Sequence, residues 1–521
     1  AVTAPAKRCV RSGGEVSFAC PASIASGGAS VQAASKPDHD PFESDWIISS
    51  AVTSCVRVSE IVLFPLNHQL NKVSIVGTEM RSINTASLGA GVVPVVTAVA
   101  ATVATAYALR RWQRGRAVAA SRQGVFFNEE EVGILGKPAN RLRTTEELRA
   151  AVAEWSKVPF TEGTLTKEEL EHFHRKGWVL KHGVLDMAVI DAARTAVEGL
   201  VDDLAERLYA AGLIRDKCVS APFERRLALI DSQYAGANVL LHKVGRLPAE
   251  IGALWSHSAL LNTARQILGD HVDVMGHPVW NLRCKTPERH SGGTATVPWH
   301  QDTSYLDEES WDKLQVTAWV PLVDTHRTNG CMQVVTGTHS KGITVEHACC
   351  VGGTWYNECL PAELEATLDC DMAADVVTCE VPRGSVLFLN NITAHRSLPN
   401  FSDSVRWSLD LRWQRGGEPN GFSGVKDSVL MVPASAPRVE SGCYPVEWGS
   451  WADEDRQQAM RDAVKDLEHD LARASDEIGR GDAPIDPSLL DTTISGPWMR
   501  RWRLVHHNRH TAQLPAAAQH A

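Results

Sequence analysis

Val297-Pro298-Trp299-His300-Gln301-Asp302-Thr303-Ser304-Tyr305 is the stretch from which the rest of this 521-residue chain can be read. It offers an imidazole at His300 and a carboxylate at Asp302, two positions apart. Residues i and i+2 of a strand share a face, so both groups are expected to point at one ion. A second imidazole follows 95 positions later, at His395 in Asn391-Ile392-Thr393-Ala394-His395-Arg396-Ser397. Two histidines and one carboxylate on one side of a metal leave the opposite positions open, the donor set suited to non-haem Fe(II) and O2. Eleven residues past His395 stands Arg406, whose guanidinium matches a carboxylate with two parallel hydrogen bonds. The expectation is that Arg406 anchors the far carboxylate of 2-oxoglutarate. Ser397 is expected on the ligand face of its strand as a second donor, with His395 and Arg406 on two antiparallel strands of one sheet.

Outward from this centre the periodicity is mostly that of strands. Short β-rich segments at Val272–Asn281, Thr294–Trp299, Leu314–Leu322, Met332–Thr336, Val376–Val381, Ser385–Leu389 and Val405–Arg412 are separated by turn residues. Asn329-Gly330 is a hairpin-type turn signal. The pattern predicts a mainly β fold with flanking helices, a sandwich or jelly roll. Upstream, Thr166-Lys167-Glu168-Glu169 predicts a capped helix start, as does Thr144 with Glu147. Gly177–Leu180 reads as a short strand. Asp186–Ala211 carries helical apolar spacing, and Pro248–Leu268 reads as one further helix stopped by Gly269. Thr338–Asp375 is a long connection of the kind that forms lids and binding loops. Trp448–Ile478 reads as a charged amphipathic helical region. The basic aromatic end Trp498–Arg503 is expected to pack on the domain, and the last dozen residues to be unstructured.

The net charge of -10 and the pI near 6.1 give no footprint for nucleic acid. Twelve scattered cysteines contain no CxxC pair, and the neighbours Cys349-Cys350 are poorly placed to bond to each other, which points to reduced thiols. Residues 1–79 are rich in Ala, Ser and Gly and are expected to be a disordered leader or a gene-model extension ahead of Met80, the first methionine. Leu88–Leu109 has no charged residue over 22 positions, long enough for a ~30 Å hydrocarbon core, and Arg110, Arg111, Arg114 and Arg116 follow. As a membrane anchor it would leave the C-terminal side in the cytosol. The absence of acidic residues from Met80 to Asn128 fits a mitochondrial or plastid transit peptide as well. The expected organisation is therefore leader 1–79, hydrophobic anchor or targeting segment 80–128, helical linker 129–164, catalytic domain 165–430, and C-terminal helical extension and tail 431–521.

Five segments together resemble the phytanoyl-CoA dioxygenase family. They are LTKEELEHFHRKGWVLKHGVL from Leu165, VPWHQDTSYL from Val297, VTAWVPLVD from Val316, NGCMQVVTGTHSKG from Asn329, and GSVLFLNNITAHRS from Gly384 followed by Arg406. The resemblance spans Leu165 to Gln414, about half the chain. It implies a double-stranded β-helix (jelly roll, cupin-like), and Fe(II), 2-oxoglutarate and O2 as reactants, with ascorbate an optional reductant. It also implies hydroxylation of a small molecule or lipid with release of succinate and CO2. By motif it carries His300, Asp302 and His395 over as metal ligands and Arg406 as the 2-oxoglutarate anchor. Halogenating enzymes of this type replace the ligand carboxylate by a small residue, so Asp302 favours hydroxylation. The family's GSH segment reads Gly337-Thr338-His339 here, which keeps a hydroxyl.

Weaker candidates stand beside these. Arg283 and Lys285 precede the metal segment and could meet 2-oxoglutarate or an anionic substrate, or be surface charges. His271-Val272-Asp273 is a second HxD but reads as a helix end running into a strand. His347 with Cys349 and Cys350 lacks a fourth zinc ligand. Two other functions compete with an oxygenase. A non-oxidative jelly-roll metalloenzyme would not need the dicarboxylate anchor Arg406, and a silent membrane-tethered sensor or scaffold would not need intact ligands.

Overall fold

The computed structural model describes residues 143–241, 247–422, 428–448, 468–474, 489–512 and 514, together with three short strands near the N-terminus. The chain divides into two units, residues 1–127 and 128–521. In the first, β1 (Trp46–Ile47), β2 (Ile61–Leu63) and β3 (Val73–Ile75) pair antiparallel in that order. These strands fall within the stretch expected to be a leader. The segment Leu88–Leu109 and the linker residues before 143 lie outside the described residues. No helix among the described residues is long and apolar enough to cross a membrane.

The second unit begins with two helices whose starts follow the sequence signals. In α1 (Thr145–Trp155) and α2 (Lys167–Lys176), Thr144 and Thr166 accept from the N3 amides while Glu147 and Glu169 reach back to the cap amides. Each capping box satisfies two otherwise orphaned donors. Gly177, at φ 82°, ends α2 in the left-handed region, and β4 (Trp178–Lys181) follows. The long α3 (Met187–Ala210) buries Ile190, Ala193, Val197, Leu200, Val201, Leu204 and Leu208, one apolar stripe at helical spacing. Next come α4 (Phe223–Gln233), α5 (Ala249–Trp255) and α6 (Ser258–Leu268).

The predicted single helix over Pro248–Leu268 is thus two helices. The break has a physical cause. Ser256 turns its hydroxyl back onto the Gly252 carbonyl, the His257 side chain accepts from the Ala259 amide, and the Ser258 amide donates to Gly442 on another segment. These bonds replace the ladder at that turn.

Nine strands follow in the chain: β5 (Val274–Gly276), β6 (Asn281–Lys285), β7 (Val316–Pro321), β8 (Met332–Val335), β9 (Ala348–Cys349), β10 (Val376–Cys379), β11 (Val386–Asn390), β12 (His395–Ser397) and β13 (Arg406–Arg415). After β9, α7 (Pro361–Leu368) interrupts the long connection; β14 (Val429–Val432) and β15 (Arg503–Leu504) complete the set. One sheet runs β14-β5-β13-β7-β11-β4, with β6 also on β13; a second runs β10-β8-β12. All these pairs are antiparallel.

Alternation along β13 and β7 divides the molecule into layers. Trp407, Leu409, Leu411 and Trp413, with Val316, Ala318 and Val320, join the core formed with α3–α6. From the opposite face, Trp319, Leu387 and Leu389 meet Met332, Val334 and Cys379 of the smaller sheet. The fold is mainly β with flanking helices, a jelly roll, and the polar residues Arg406, Ser408, Asp410, Arg412 and Gln414 of β13 lie between the sheets, all buried.

Several local expectations differ from what forms. Thr294–Trp299 is not a strand: the chain meets β12 of the smaller sheet through bonds between Val297 and Ser397 and at the His300–His395 bridge, then turns at once into a 3-10 turn, Asp302–Tyr305. His395 and Arg406 sit on different sheets, since β12 pairs with β8 and β13 with β5, β6 and β7. Gly330 does adopt φ 86°, but β7 and β8 do not pair, so Asn329-Gly330 makes a crossing between sheets and not a hairpin. Cys349 and Cys350 are bonded to each other across a cis peptide bond, with Cα atoms 3.0 Å apart, while the other described cysteines form no disulfide. Within Trp448–Ile478 the described residues 468–474 are helical. The C-terminal segment holds a 3-10 turn, Pro497–Arg500, and β15, which pairs parallel with β9. His510 and Thr511, in the tail expected to be unstructured, are fully buried.

Candidate metal centre and cavity

Among the described residues, His300, Asp302 and His395 place one donor atom each within 4.8 Å of one another, and all three side chains are buried. The convergence comes from the bridge and not from a shared strand. His300 and His395 exchange both backbone hydrogen bonds, at 3.0 and 2.9 Å, which sets the two rings side by side with centroids 4.2 Å apart. The 3-10 turn then swings Asp302 back, so that Oδ1 lies 3.6 Å from His300 Nε2 and 3.8 Å from His395 Nε2.

Neighbouring groups orient each ligand. His300 Nδ1 lies 2.9 Å from the Pro298 carbonyl and His395 Nδ1 2.9 Å from the Thr393 carbonyl. A carbonyl can only accept, so both Nδ1 atoms carry the proton and both Nε2 lone pairs face the centre. Thr317 donates to Asp302 Oδ2 at 3.2 Å, and Arg412 Nε approaches the same oxygen at 3.4 Å, which leaves Oδ1 for a metal. Burial on its own would raise the Asp302 carboxyl, but the Arg412 guanidinium and the two imidazoles hold it well below the usual carboxylate range. Burial first, then the neighbouring His300, pushes His395 down to about 4, so it is neutral at ordinary pH, as a ligand must be.

Gln301, between the two ligands, is wholly buried and fixes the turn. Its amide nitrogen donates to the Ile343 and Ile392 carbonyls, both at 2.8 Å, and its oxygen accepts from the Val345 amide at 2.7 Å. Its backbone amide donates to His347 Nε2 at 3.1 Å. His347 therefore serves the metal turn and is not part of a zinc site, and burial pushes it down to about 3.

Arg406 and Lys285 face each other across β13 and β6, and each is 2 % exposed. Arg406 Nη1 donates to Ser408 at 2.6 Å and the guanidinium lies 5.2 Å from the Trp319 ring centroid, but its buried Nε has no partner. Lys285 Nζ donates to Thr296 at 3.0 Å. Burial lowers Arg406 to about 10, and burial with the nearby Arg406 charge takes Lys285 well below its ordinary value. Two buried cations with an orphaned donor form a cradle for an anion, which fits the distal carboxylate of 2-oxoglutarate. Ser397, 2 % exposed, follows on the His395 face of β12, its hydroxyl accepting from the Val297 amide at 3.2 Å.

Arg283 lies on the same inner face, donating to Asp410 at 2.8 Å; although burial opposes it, Asp410 raises the guanidinium above its ordinary value. It lines a cavity of about 190 Å³ together with His277, Asn281, His300, Asp302, Tyr305, Gln315, Trp355, Tyr356, Arg412, Phe422, Ile494 and Trp498. Sequence reasoning passed over Arg412, Thr317, Trp498 and Ile494. Arg412 had a signal, since it lies an even number of residues from Arg406 on one strand. The other three carried none.

The family model for phytanoyl-CoA dioxygenase (PhyH) matches residues 173–408. A 1-deoxypentalenic acid 11-beta-hydroxylase of Streptomyces arenae is 26 % identical over 264 residues, covering 50 % of this chain and 85 % of that one. A phytanoyl-CoA dioxygenase of Arabidopsis thaliana is 21 % identical over 287 residues, covering 51 % and 94 %. Among solved structures, the non-heme monooxygenase ThoJ in its apo form superposes with a TM-score of 0.36 at 19 % identity, covering 60 % of this chain and 99 % of that one. With the candidate ligand triad, its orienting shell and the buried cation cradle all inside or beside the matched residues, residues 173–408 form a domain of the phytanoyl-CoA dioxygenase family and the protein is a 2-oxoglutarate-dependent oxygenase.

Proposed function

We propose that this oxygenase hydroxylates a small molecule with an apolar body and an anionic group, releasing succinate and CO2. The carrying observation is that two guanidiniums lining the cavity share one carboxylate behind it. Asp410 meets Arg283 at 2.8 Å and Arg412 at 3.4 Å. Asp302, the other acid within reach of Arg412, is committed once a metal binds. One positive charge is then left over beside the cavity, and a buried surplus charge calls for a partner. The rest of the lining, including Val279, Leu306, Phe422 and Ile494, suits a hydrocarbon. The S. arenae relative is named for a carboxylic acid, in keeping with this reading.

The roles of the residues follow from their positions. His300, Asp302 and His395 would hold Fe(II), and Arg406, Lys285 and Ser397 the distal carboxylate of 2-oxoglutarate. When bound, the iron and 2-oxoglutarate supply the oxidation of an unactivated C–H bond by O2. The chain supplies orientation and a dry site. Tyr305, packed edge-on to the His300 ring at 5.6 Å, and the aromatic residues beyond it exclude water from the metal face. Arg412 keeps Asp302 ionised.

Full-length protein loaded anaerobically with Fe(II) and 2-oxoglutarate is expected to show the weak visible charge-transfer band of the chelate, absent in Asp302→Ala and much weakened in Arg406→Ala. Succinate release should then be stimulated by apolar carboxylic acids over the matching alcohols. Equal stimulation by both would remove the anionic group from the proposal.

A further inference from the structure

We infer that the C-terminal segment 489–512 builds the size-selecting wall of the substrate cavity, with Trp498 and Ile494 as specificity-determining residues. This rests on the oxygenase reading above. The segment lies 81 residues beyond Ser408, the last residue of the family match, yet Ile494 and Trp498 line the same cavity as His300 and Asp302.

The segment is built onto the metal side of the domain. β15 pairs with β9, and the Val505 amide donates to the Cys349 carbonyl at 2.6 Å. Asn508 Nδ2 donates to the Gly352 and Thr354 carbonyls at 3.0 and 2.8 Å. Trp502 Nε1 donates at 2.7 Å to the carbonyl of Ser304, two residues after the ligand Asp302, and its ring stacks on Trp311 at 6.0 Å. Arg501 pairs with Asp307 just beyond that turn. Met499, Trp502 and Leu504 are buried in a common cluster with Leu148 and Trp311.

These attachments hold Trp498 in one place. Its Nε1 donates to the Trp355 carbonyl at 3.1 Å, and its ring meets Tyr305 edge-on at 5.7 Å. Tyr305 in turn meets the His300 ring. The wall is therefore two aromatic rings from a metal ligand, and it is tethered to the turn that carries another. In a cavity of about 190 Å³ a side chain so held decides which hydrocarbon fits.

The test uses the full chain with Mn(II) in place of Fe(II) and with 2-oxoglutarate bound. Two probes, cyclohexanecarboxylate and the bulkier adamantane-1-carboxylate, are titrated by calorimetry into wild type, Trp498→Ala, Ile494→Ala and Trp498→Phe. Both alanine variants should shift the ratio of the two affinities toward the bulkier probe, by about tenfold for Trp498→Ala. Trp498→Phe should restore most of the wild-type ratio, and 2-oxoglutarate affinity should stay within about twofold throughout. A segment with only a structural role would weaken both probes alike. An unchanged ratio, or no binding of either probe to any variant while 2-oxoglutarate binds, overturns the wall and leaves the oxygenase intact. Failure of wild type to bind 2-oxoglutarate overturns both.

Discussion

The metal triad and the aromatic wall of the cavity are made in different ways. His300, Asp302 and His395 lie within one bridge and one turn, each oriented by a group a few residues away or on an adjoining strand. The wall is assembled from Trp355, Phe422, Ile494 and Trp498, which share no element and come from distant parts of the sequence. A reaction centre tolerates little displacement, so its parts are short-range and redundant. A substrate wall can change by any route that fills space. In this chain the chemistry lies in the residues of the family match, and part of the selectivity lies outside it.

The largest effect should come from breaking the metal side. Asp302→Ala removes the anionic ligand and leaves Arg412 with Asp410 as its remaining acidic partner; iron content and succinate release should both fall to background, whereas no single wall substitution should lower iron content. Next, Arg406→Ala should raise the 2-oxoglutarate Kd about a hundredfold by removing a charge-assisted pair, with Arg406→Lys recovering only part because one ammonium cannot give two parallel bonds. Unchanged 2-oxoglutarate affinity would move the anchor to Lys285.

Arg412→Gln tests the boundary between the two regions, because Arg412 touches Asp302 and also lines the cavity. Loss of an orienting partner should weaken metal binding about tenfold, within the usual range for groups behind a ligand. Full metal affinity with lost stimulation by carboxylic acids would assign Arg412 to the substrate alone.

The smallest effect is acid sensitivity of the metal-free protein. His277, His395 and His347 are held neutral by burial, with values pushed down to about 4, 4 and 3. Between the ordinary histidine value and these, the unfolded chain binds protons that the folded chain does not. Stability should therefore fall as pH is lowered from about 6.5 toward 4, read as a falling Tm. Bound metal keeps His395 unprotonated to lower pH and should carry its part of the fall further into acid, while that of His277 ends near 4, so the two sides separate in one pH series.

The readable part of this molecule was that in which local order carries the information. The capping boxes at Thr144 and Thr166, the β-rich runs at β7, β11 and β13, and the candidate ligands His300, Asp302 and His395 stand in the sequence with their spacing. Arg283 and Lys285 were visible but ambiguous, since a charge before a strand does not declare which face it takes; pairing of β6 with β13 places both inside. The helix break at Ser256–His257 was hidden because a bond from Ser258 to Gly442 spans a distance that no window of sequence contains.

The sequence by itself determined the reaction class, because metal ligands and an anion anchor must be particular residue types at spacings that strands and turns allow. The tertiary structure decided the rest. It set His395 and Arg406 on separate sheets, turned Arg412 onto Asp302, and laid Trp498 against Tyr305. Those contacts depend on burial and register between distant segments, and many residue types at those positions would read the same along the chain until packing made them neighbours.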